Sequence, residues 1–168
     1  MTAETLSRFY QTEYRLIYDE GEEDREEEFS TAMRVGHGLW DVLESCDLRP
    51  QTVIDLGCNM GGMLQSFRDH GCTVLGVDLD AAAVARGQAR GLPIIQGTFD
   101  DLVVKGQRAD LVILHHVLEH CVDIPSILSQ IRVLLNPKGV VDVAVPGLKT
   151  SSITRLCQSA QTYQVTYD

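Results

Sequence analysis

Between residues 52 and 145, five short runs rich in Val, Ile and Leu alternate with stretches of helical periodicity, and this alternation is what most limits the folds open to the chain. The runs are TVIDL (52–56), TVLGV (73–77), PIIQ (93–96), ADLVIL (109–114) and GVVDVAV (139–145). Helices are predicted between them at 61–70, 80–90, 100–105 and 123–136, with the shortest pattern at 100–105. Alternating strand and helix builds βαβ units, and these give a parallel sheet covered on both faces. The predicted fold is therefore α/β, a doubly wound, mostly parallel Rossmann-like sheet. Ligands of such sheets bind beyond the carboxyl ends of the strands. The unusual residues of this chain should then fall at strand ends, and they do.

The first run ends in Asp55-Leu56-Gly57-Cys58-Asn59-Met60-Gly61-Gly62. Glycines at a strand-to-helix turn permit positive φ and close approach of a ligand to the backbone. Asn59 is the next best residue for a left-handed conformation, and the helix that follows offers free N–H groups. The spacing is G-x-x-x-G-G, not the G-x-G-x-x-G of dinucleotide loops. Asp55 adds a charge argument: a carboxylate at this place repels a pyrophosphate and attracts an ammonium or sulfonium group. S-adenosylmethionine carries both cations and no phosphate, so it fits better than NAD. A tight turn with no ligand is the plain alternative.

The second run leads into Asp78, 21 residues after Gly57 (78 − 57). An acid about 20 residues beyond the loop can accept hydrogen bonds from ribose hydroxyls. Asp80, just before Ala81-Ala82-Ala83, reads instead as a helix N-cap. At the end of the third run stand Gly97-Thr98-Phe99, where Phe99 could face an adenine or simply fill the core.

Together VIDLGCNMGGML (53–64), VLGVDLD (74–80), ADLVILHHVLEH (109–120) and LLNPKGVVDVAVPG (134–147) resemble the class I S-adenosylmethionine-dependent methyltransferase family. The last two resemble most the branch with quinone O-methyltransferases and sugar or capsule-pathway methyltransferases, and FYQTEYRLIYDEG (9–21) resembles segments preceding the core there. The resemblance covers about residues 50–147. It implies S-adenosylmethionine as cofactor and a small-molecule acceptor, a sugar derivative or quinone-like compound, that attacks the sulfonium methyl in line. By position, Asp55 and the backbone of Gly57, Cys58, Asn59 and Gly61 would hold the methionine end, Asp78 and Leu79 the ribose, and Thr98 and Phe99 the adenine side. His115 would lie near the methyl, and His115 and His116 are the candidate catalytic residues. Asn59 stands where the family usually has a middle glycine.

His116-Val117-Leu118-Glu119-His120 also spells H-x-x-E-H, an inverted zinc-protease motif. That motif needs a helix with both histidines on one face and a third ligand. Here it directly follows a buried strand, where the methyltransferase pattern has a loop. Small-RNA methyltransferases of the superfamily hold a divalent ion with an acid-x-x-Glu-His and a later histidine. This chain has His116 in place of the acid and no histidine after His120. No metal site is expected.

The 168 residues suit one domain, here divided into an N-terminal helical segment (1–49), a cofactor-binding core (50–147) and the start of a truncated C-terminal part (148–168). Helical spacing runs through 4–18, and a second helix follows the acidic stretch 19–28 through Phe29, Met33, Leu39, Trp40 and Leu43, weakened by Gly36 and Gly38. The acidic stretch itself reads as a solvated loop or helix start. The net charge of −10 disfavours nucleic acid, which gains affinity from Lys and Arg. No run nears the roughly 20 apolar residues of a membrane span, and no signal-peptide core opens the chain. The five cysteines form no C-x-x-C pair and read as reduced, packed thiols. A cytoplasmic protein is expected.

The family's sheet usually has seven strands, and five are counted here. That count predicts an open apolar edge on the fifth strand, prone to self-association. A fragment, or a non-catalytic binding or scaffold module with a methyltransferase fold, is the alternative function.

Overall fold

The computed structural model describes residues 22–146 and 163–164. Helix α1 (Glu22–Ser45) leads into β1 (Thr52–Leu56), α2 (Gly62–Asp69), β2 (Thr73–Asp78), α3 (Ala81–Ala89), β3 (Ile94–Gln96), α4 (Phe99–Val104) and β4 (Ala109–His115). A one-turn 3-10 helix (Leu118–His120), α5 (Ile124–Leu134), β5 (Leu135–Ala144) and β6 (Tyr163–Gln164) follow. The sheet order is β3-β2-β1-β4-β5-β6, and every neighbouring pair is parallel. The chain order reverses direction between β1 and β4, so the crevice above their carboxyl ends is the switch point at which such sheets bind ligands.

Each central strand is buried on both faces, which is why it reads as an unbroken apolar run. Val53, Leu111, Ile113 and Val140 face one core with Phe29, Leu39, Leu64 and Phe67 of α1 and α2. Ile54, Leu56, Val112 and Leu114 face the other with Leu102, Ile131 and Leu134 of α4 and α5. Local signals set the helix starts. The Asp80 carboxylate accepts from the N–H groups of Ala82 and Ala83 and caps α3, and Asp123 caps α5 by accepting from Ser126 N–H at 3.0 Å.

One expectation is made more exact and three are revised. First, α1 is one helix of 24 residues that runs through both glycines and takes in the acidic stretch from Glu22 onward. Gly36 is where α2 approaches: a Cβ there would stand 2.0 Å from Ser66 Oγ. Gly62 repeats the device from the other side, since a Cβ on it would meet Phe29 O at 2.5 Å. The helical propensity given up is offset by close packing of the two helices.

Second, the sheet has six strands, not five. β6 pairs with β5 through Asp142↔Tyr163 and Val143↔Gln164, so β5 is not bare along that stretch. Third, β5 begins at Leu135, before the run that announced it. The register with β4 jumps from Ala109↔Leu135 to Leu111↔Val140, and Lys138 takes φ 68° in the irregularity. Pro137 and Gly139 therefore mark a bulge inside a strand, not a loop before one. Fourth, α5 ends at Leu134, two residues short of the predicted 136, because the strand claims Leu135.

The helix expected over 4–18 lies outside the described residues. No helix among the described residues is long and apolar enough to cross a membrane.

Candidate cofactor-binding site

Parallel pairing places the unusual residues in two rows at the carboxyl end of the sheet. In the lower row Asp55 lies opposite Gly76 of β2 and Ile113 of β4, and Ile113 in turn lies opposite Asp142 of β5. One pleat further along stand Asp78, at the tip of β2, and His115, at the tip of β4. Period-2 alternation turns all four side chains toward the face covered by α1 and α2.

The loop from β1 to α2 takes the left-handed conformations the sequence announced. Gly57 has φ 75°, Asn59 φ 50° and Gly61 φ 80°. Two of these positions have no room for a side chain in any case. A Cβ on Gly57 would meet Val117 Cγ2 at 2.6 Å, and one on Gly61 would meet Leu92 and Ile94 at 2.8 Å. The loop is moored to β2: Gly57 N–H and Cys58 N–H both donate to Val77 O, at 2.8 and 3.1 Å. The Asp78 carboxylate accepts from Asn59 N–H (2.7 Å) and from Asp80 N–H (2.8 Å).

From α1, Glu28 accepts from the Asn59 side-chain amide at 2.7 Å. Glu26 pairs with Arg90 beyond α3, and the Arg90 guanidinium lies 4.2 Å over the Phe29 ring. Part of the acidic stretch, given no role on sequence grounds, thus fastens α1 to the loop and to α3.

The electrostatics are those of a cation site. Asp55 is 4% exposed, and burial is the strongest influence on its carboxyl. Burial pushes its carboxyl up to about 7; His115 pulls it back down, while Asp78 and Asp142 add to the rise. Burial also raises Asp78, against the lowering pull of the Asp80 and Asn59 N–H groups. Burial, followed by the charges of Asp55 and Asp78, pushes the Cys58 thiol well up, so it stays protonated. His115 is the basic side chain that faces the cluster, and its Nε2 meets Asp142 Oδ2 at 2.5 Å. A buried carboxylate crowded by two further acids suits an ammonium or sulfonium group and opposes a phosphate.

The strand order alone is shared with dinucleotide-binding sheets. A family model for a methyltransferase domain, however, matches residues 25–166. The chain belongs to the class I, S-adenosylmethionine-dependent methyltransferase family. It is 29% identical over 109 residues to a malonyl-[acyl-carrier protein] O-methyltransferase of Enterobacter lignolyticus, a match covering 64% of this chain and 43% of that protein. It is also 29% identical over 97 residues to a ubiquinone biosynthesis O-methyltransferase of Rhodopseudomonas palustris, covering 55% of this chain and 38% of that one. The chain thus spans less than half the length of these relatives. The plantazolicin methyltransferase BpumL, solved in complex with SAH, shares the fold with a TM-score of 0.59 at 14% identity, over 78% of this chain and 53% of that one.

Within this chain, Asp55, Gly57, Cys58, Asn59, Gly61, Asp78 and His115 converge on the crevice. Leu79 follows them, half-buried, between Asp78 and the cap of α3. Thr98 and Phe99 stand one strand further out. Thr98 is exposed, and its N–H donates to Asp101 at 2.7 Å in the cap of α4. Phe99 is half-buried and packs on the core beneath α4 and α5. His116, with φ 54°, turns outward, and its Nδ1 lies 3.4 Å from Glu119. Leu118–His120 form one 3-10 turn, so the helix that the H-x-x-E-H motif requires is not formed.

Sequence reasoning passed over Asp142. Its signal was present, as the one charge inside the apolar run GVVDVAV.

Proposed function

We propose that this chain binds S-adenosylmethionine in the crevice above β1, β2 and β4 and passes its methyl group to a small-molecule acceptor, a sugar derivative or a quinone-like compound. The observation that carries this reading is Asp55: a buried carboxyl that burial pushes up to about 7, below a loop of left-handed residues. When bound, the cofactor supplies a methyl group on a positively charged sulfur. Asp55 attracts the cationic methionine end, and the first-turn N–H groups of α2, directly beyond the 57–61 loop, orient its carboxylate. Each Asp78 oxygen already accepts one backbone N–H and keeps a lone pair for a ribose hydroxyl. Leu79 lies against the sugar, and Thr98 and Phe99 border the adenine.

His115 faces the acceptor. With Nε2 engaged by Asp142, its Nδ1 is left to take a proton from an acceptor hydroxyl as the oxygen becomes methylated. Much of the rate comes from alignment and exclusion of water. The names of the two O-methyltransferase relatives support a hydroxyl or carboxyl acceptor. The acidic charge and the unpaired thiols support a cytoplasmic role away from nucleic acid.

Parallel calorimetric titrations with S-adenosylmethionine, S-adenosylhomocysteine and NAD test the reading, followed by transfer assays with catechol and amino-sugar acceptors. Binding of both sulfur nucleosides is expected. A response to NAD alone would overturn the assignment, and binding without transfer would favour the scaffold module.

A further inference from the structure

At the far end of α2 from the glycine loop, about 12 Å along the helix axis, three aromatic rings meet on the surface. His70 caps the carboxyl end of α2, and His37 comes from the middle of α1. His37 Nδ1 and His70 Nε2 stand 3.1 Å apart, with the rings at 73° and centroids 5.2 Å apart. One turn on from His37, the Trp40 indole lies flat on the His70 ring, 4.3 Å between centroids and 6° between planes. Its edge rests on the buried Phe67 ring at 6.1 Å. The His70 ring is therefore held in one orientation, with a nitrogen facing the nitrogen of a second imidazole on another helix.

Two nitrogens so placed can share one proton, or they can share one metal ion. Bonds of about 2.0–2.1 Å meeting at a tetrahedral angle would set the nitrogens about 3.4 Å apart, a few tenths of an ångström beyond the observed gap. A small rotation of the freer His37 ring supplies the difference. The surroundings favour a cation: the carboxyl end of a helix carries partial negative charge, and the chain as a whole carries −10. An imidazole pair prefers Zn, Cu and Ni to Mg and Ca. His70 is exposed and His37 half-buried, so water has access to complete the coordination.

We propose that His37 and His70 form a two-histidine site for a late first-row transition-metal ion, Cu2+, Ni2+ or Zn2+. The bound ion cross-links α1 to α2. These helices cross at Gly36 and Gly62, and Gly62 opens α2 directly after the cofactor loop. The ion would thus brace the frame that carries the loop, without touching the methyl-transfer chemistry.

Trp40 is the only tryptophan of the chain, which makes it a built-in reporter. Untagged protein is titrated with Cu2+ and Ni2+, with Mg2+ as contrast, while tryptophan emission and heat are followed. Saturable quenching at one ion per chain, reversed by EDTA and absent with Mg2+, is expected. His37→Gln and His70→Gln should each weaken binding about tenfold or more, roughly 1.4 kcal/mol, with unchanged far-ultraviolet dichroism. Trp40→Phe should keep the heat signal and lose the optical one. His37→Gln leaves the Trp40–His70 stack intact and is the deciding variant if His70→Gln disturbs the fold. No saturable binding to the parent chain, or binding that survives both histidine variants, overturns the proposal.

Discussion

The Asp78 carboxylate accepts a hydrogen bond from the Asn59 backbone N–H at 2.7 Å, tying the glycine loop to the tip of the second strand. The same carboxylate accepts from Asp80 N–H on its other oxygen. Asp78 therefore shapes the site whether or not a ribose is present, and its loss should be felt in both states.

Asp78→Ala leaves two backbone donors without their acceptor, at about 1–3 kcal/mol each where water cannot reach them. Calorimetric titration with S-adenosylhomocysteine should show affinity falling by about ten- to a hundredfold, and thermal melting of the free protein should move down as well. Asp80→Ala removes the cap of α3, costing about 1 kcal/mol of stability, and its effect on affinity should be much the smaller of the two. A mutant pair behaving in the opposite sense would displace the ribose site from Asp78.

Asp55 couples the site to pH. Burial pushes its carboxyl up to about 7 in the folded chain, against an ordinary value of 3.8, so the folded state holds a proton that the unfolded state has lost. The stability from that proton is complete below about pH 4 and is lost as pH rises through 7. The slope is about 1.4 kcal/mol per pH unit in between. Asp55→Asn keeps the shape and removes the charge. Relative to the parent it should be stabilising at pH 8 and gain much less at pH 5, read from denaturant midpoints. S-adenosylmethionine should bind the parent more tightly as pH rises from 5.5 to 7.5, releasing a proton, and bind the variant weakly with little pH dependence. A parent whose affinity is flat over that range would remove Asp55 from the cation site.

Gly36 and Gly38 sit two residues apart in α1 and should respond with opposite signs. A Cβ on Gly38 meets nothing within 4 Å, so Gly38→Ala should recover helical propensity, about 0.5–1 kcal/mol. A Cβ on Gly36 would collide with Ser66 Oγ. That hydroxyl is fully buried and donates to Met63 O at 2.7 Å, so it has nowhere to go. Gly36→Ala should cost about 1–3 kcal/mol as an overpacked contact. Urea titration of both variants decides the matter, and equal stabilisation by both would show that the helices can separate without penalty.

The same pair shows where sequence reading stops. The strands were legible because runs such as VIDL and LVIL are buried on both faces, and Asp80 was legible as a cap because the signal is local. A glycine inside a helix reads only as lost propensity along the chain. Its reason here is Ser66, thirty residues away. The strand likewise reads as starting at Gly139, whereas it begins at Leu135 and its ladder with β4 resumes at Val140 after an irregularity. β6 pairs through two residues, and the modest apolar set Leu148, Ile153, Leu156, Tyr163, Val165 and Tyr167 leaves room for a helix and a short strand without placing it. Of the site, the Asp55–Gly61 loop and Asp78 were legible because glycines and acids at strand ends are unusual. Asp142 was passed over because its partner, His115, lies on another strand.

That pair supports a test of how charge is balanced in the crevice. His115 Nε2 and Asp142 Oδ2 are 2.5 Å apart, with side chains 15% and 8% exposed. Removing one member of a buried pair costs more when a charge is left behind than when a neutral ring is. Asp142→Ala leaves an imidazole that can stay neutral, a loss of about 1–3 kcal/mol. His115→Ala leaves Asp142 buried and unpaired, and it also strips from Asp55 the one neighbour that lowers its pKa. Its cost should be larger, about 3–5 kcal/mol near neutral pH, and should shrink toward pH 5 as Asp55 takes up its proton. The double variant should be more stable than His115→Ala alone, because removing Asp142 relieves the charge that the first change exposes. Denaturant unfolding of the three variants at pH 5 and 7.5 measures this directly. If His115→Ala is the milder single change, or if the two costs simply add, then His115 does not neutralise Asp142, and its placement as the base for an acceptor hydroxyl loses its structural support.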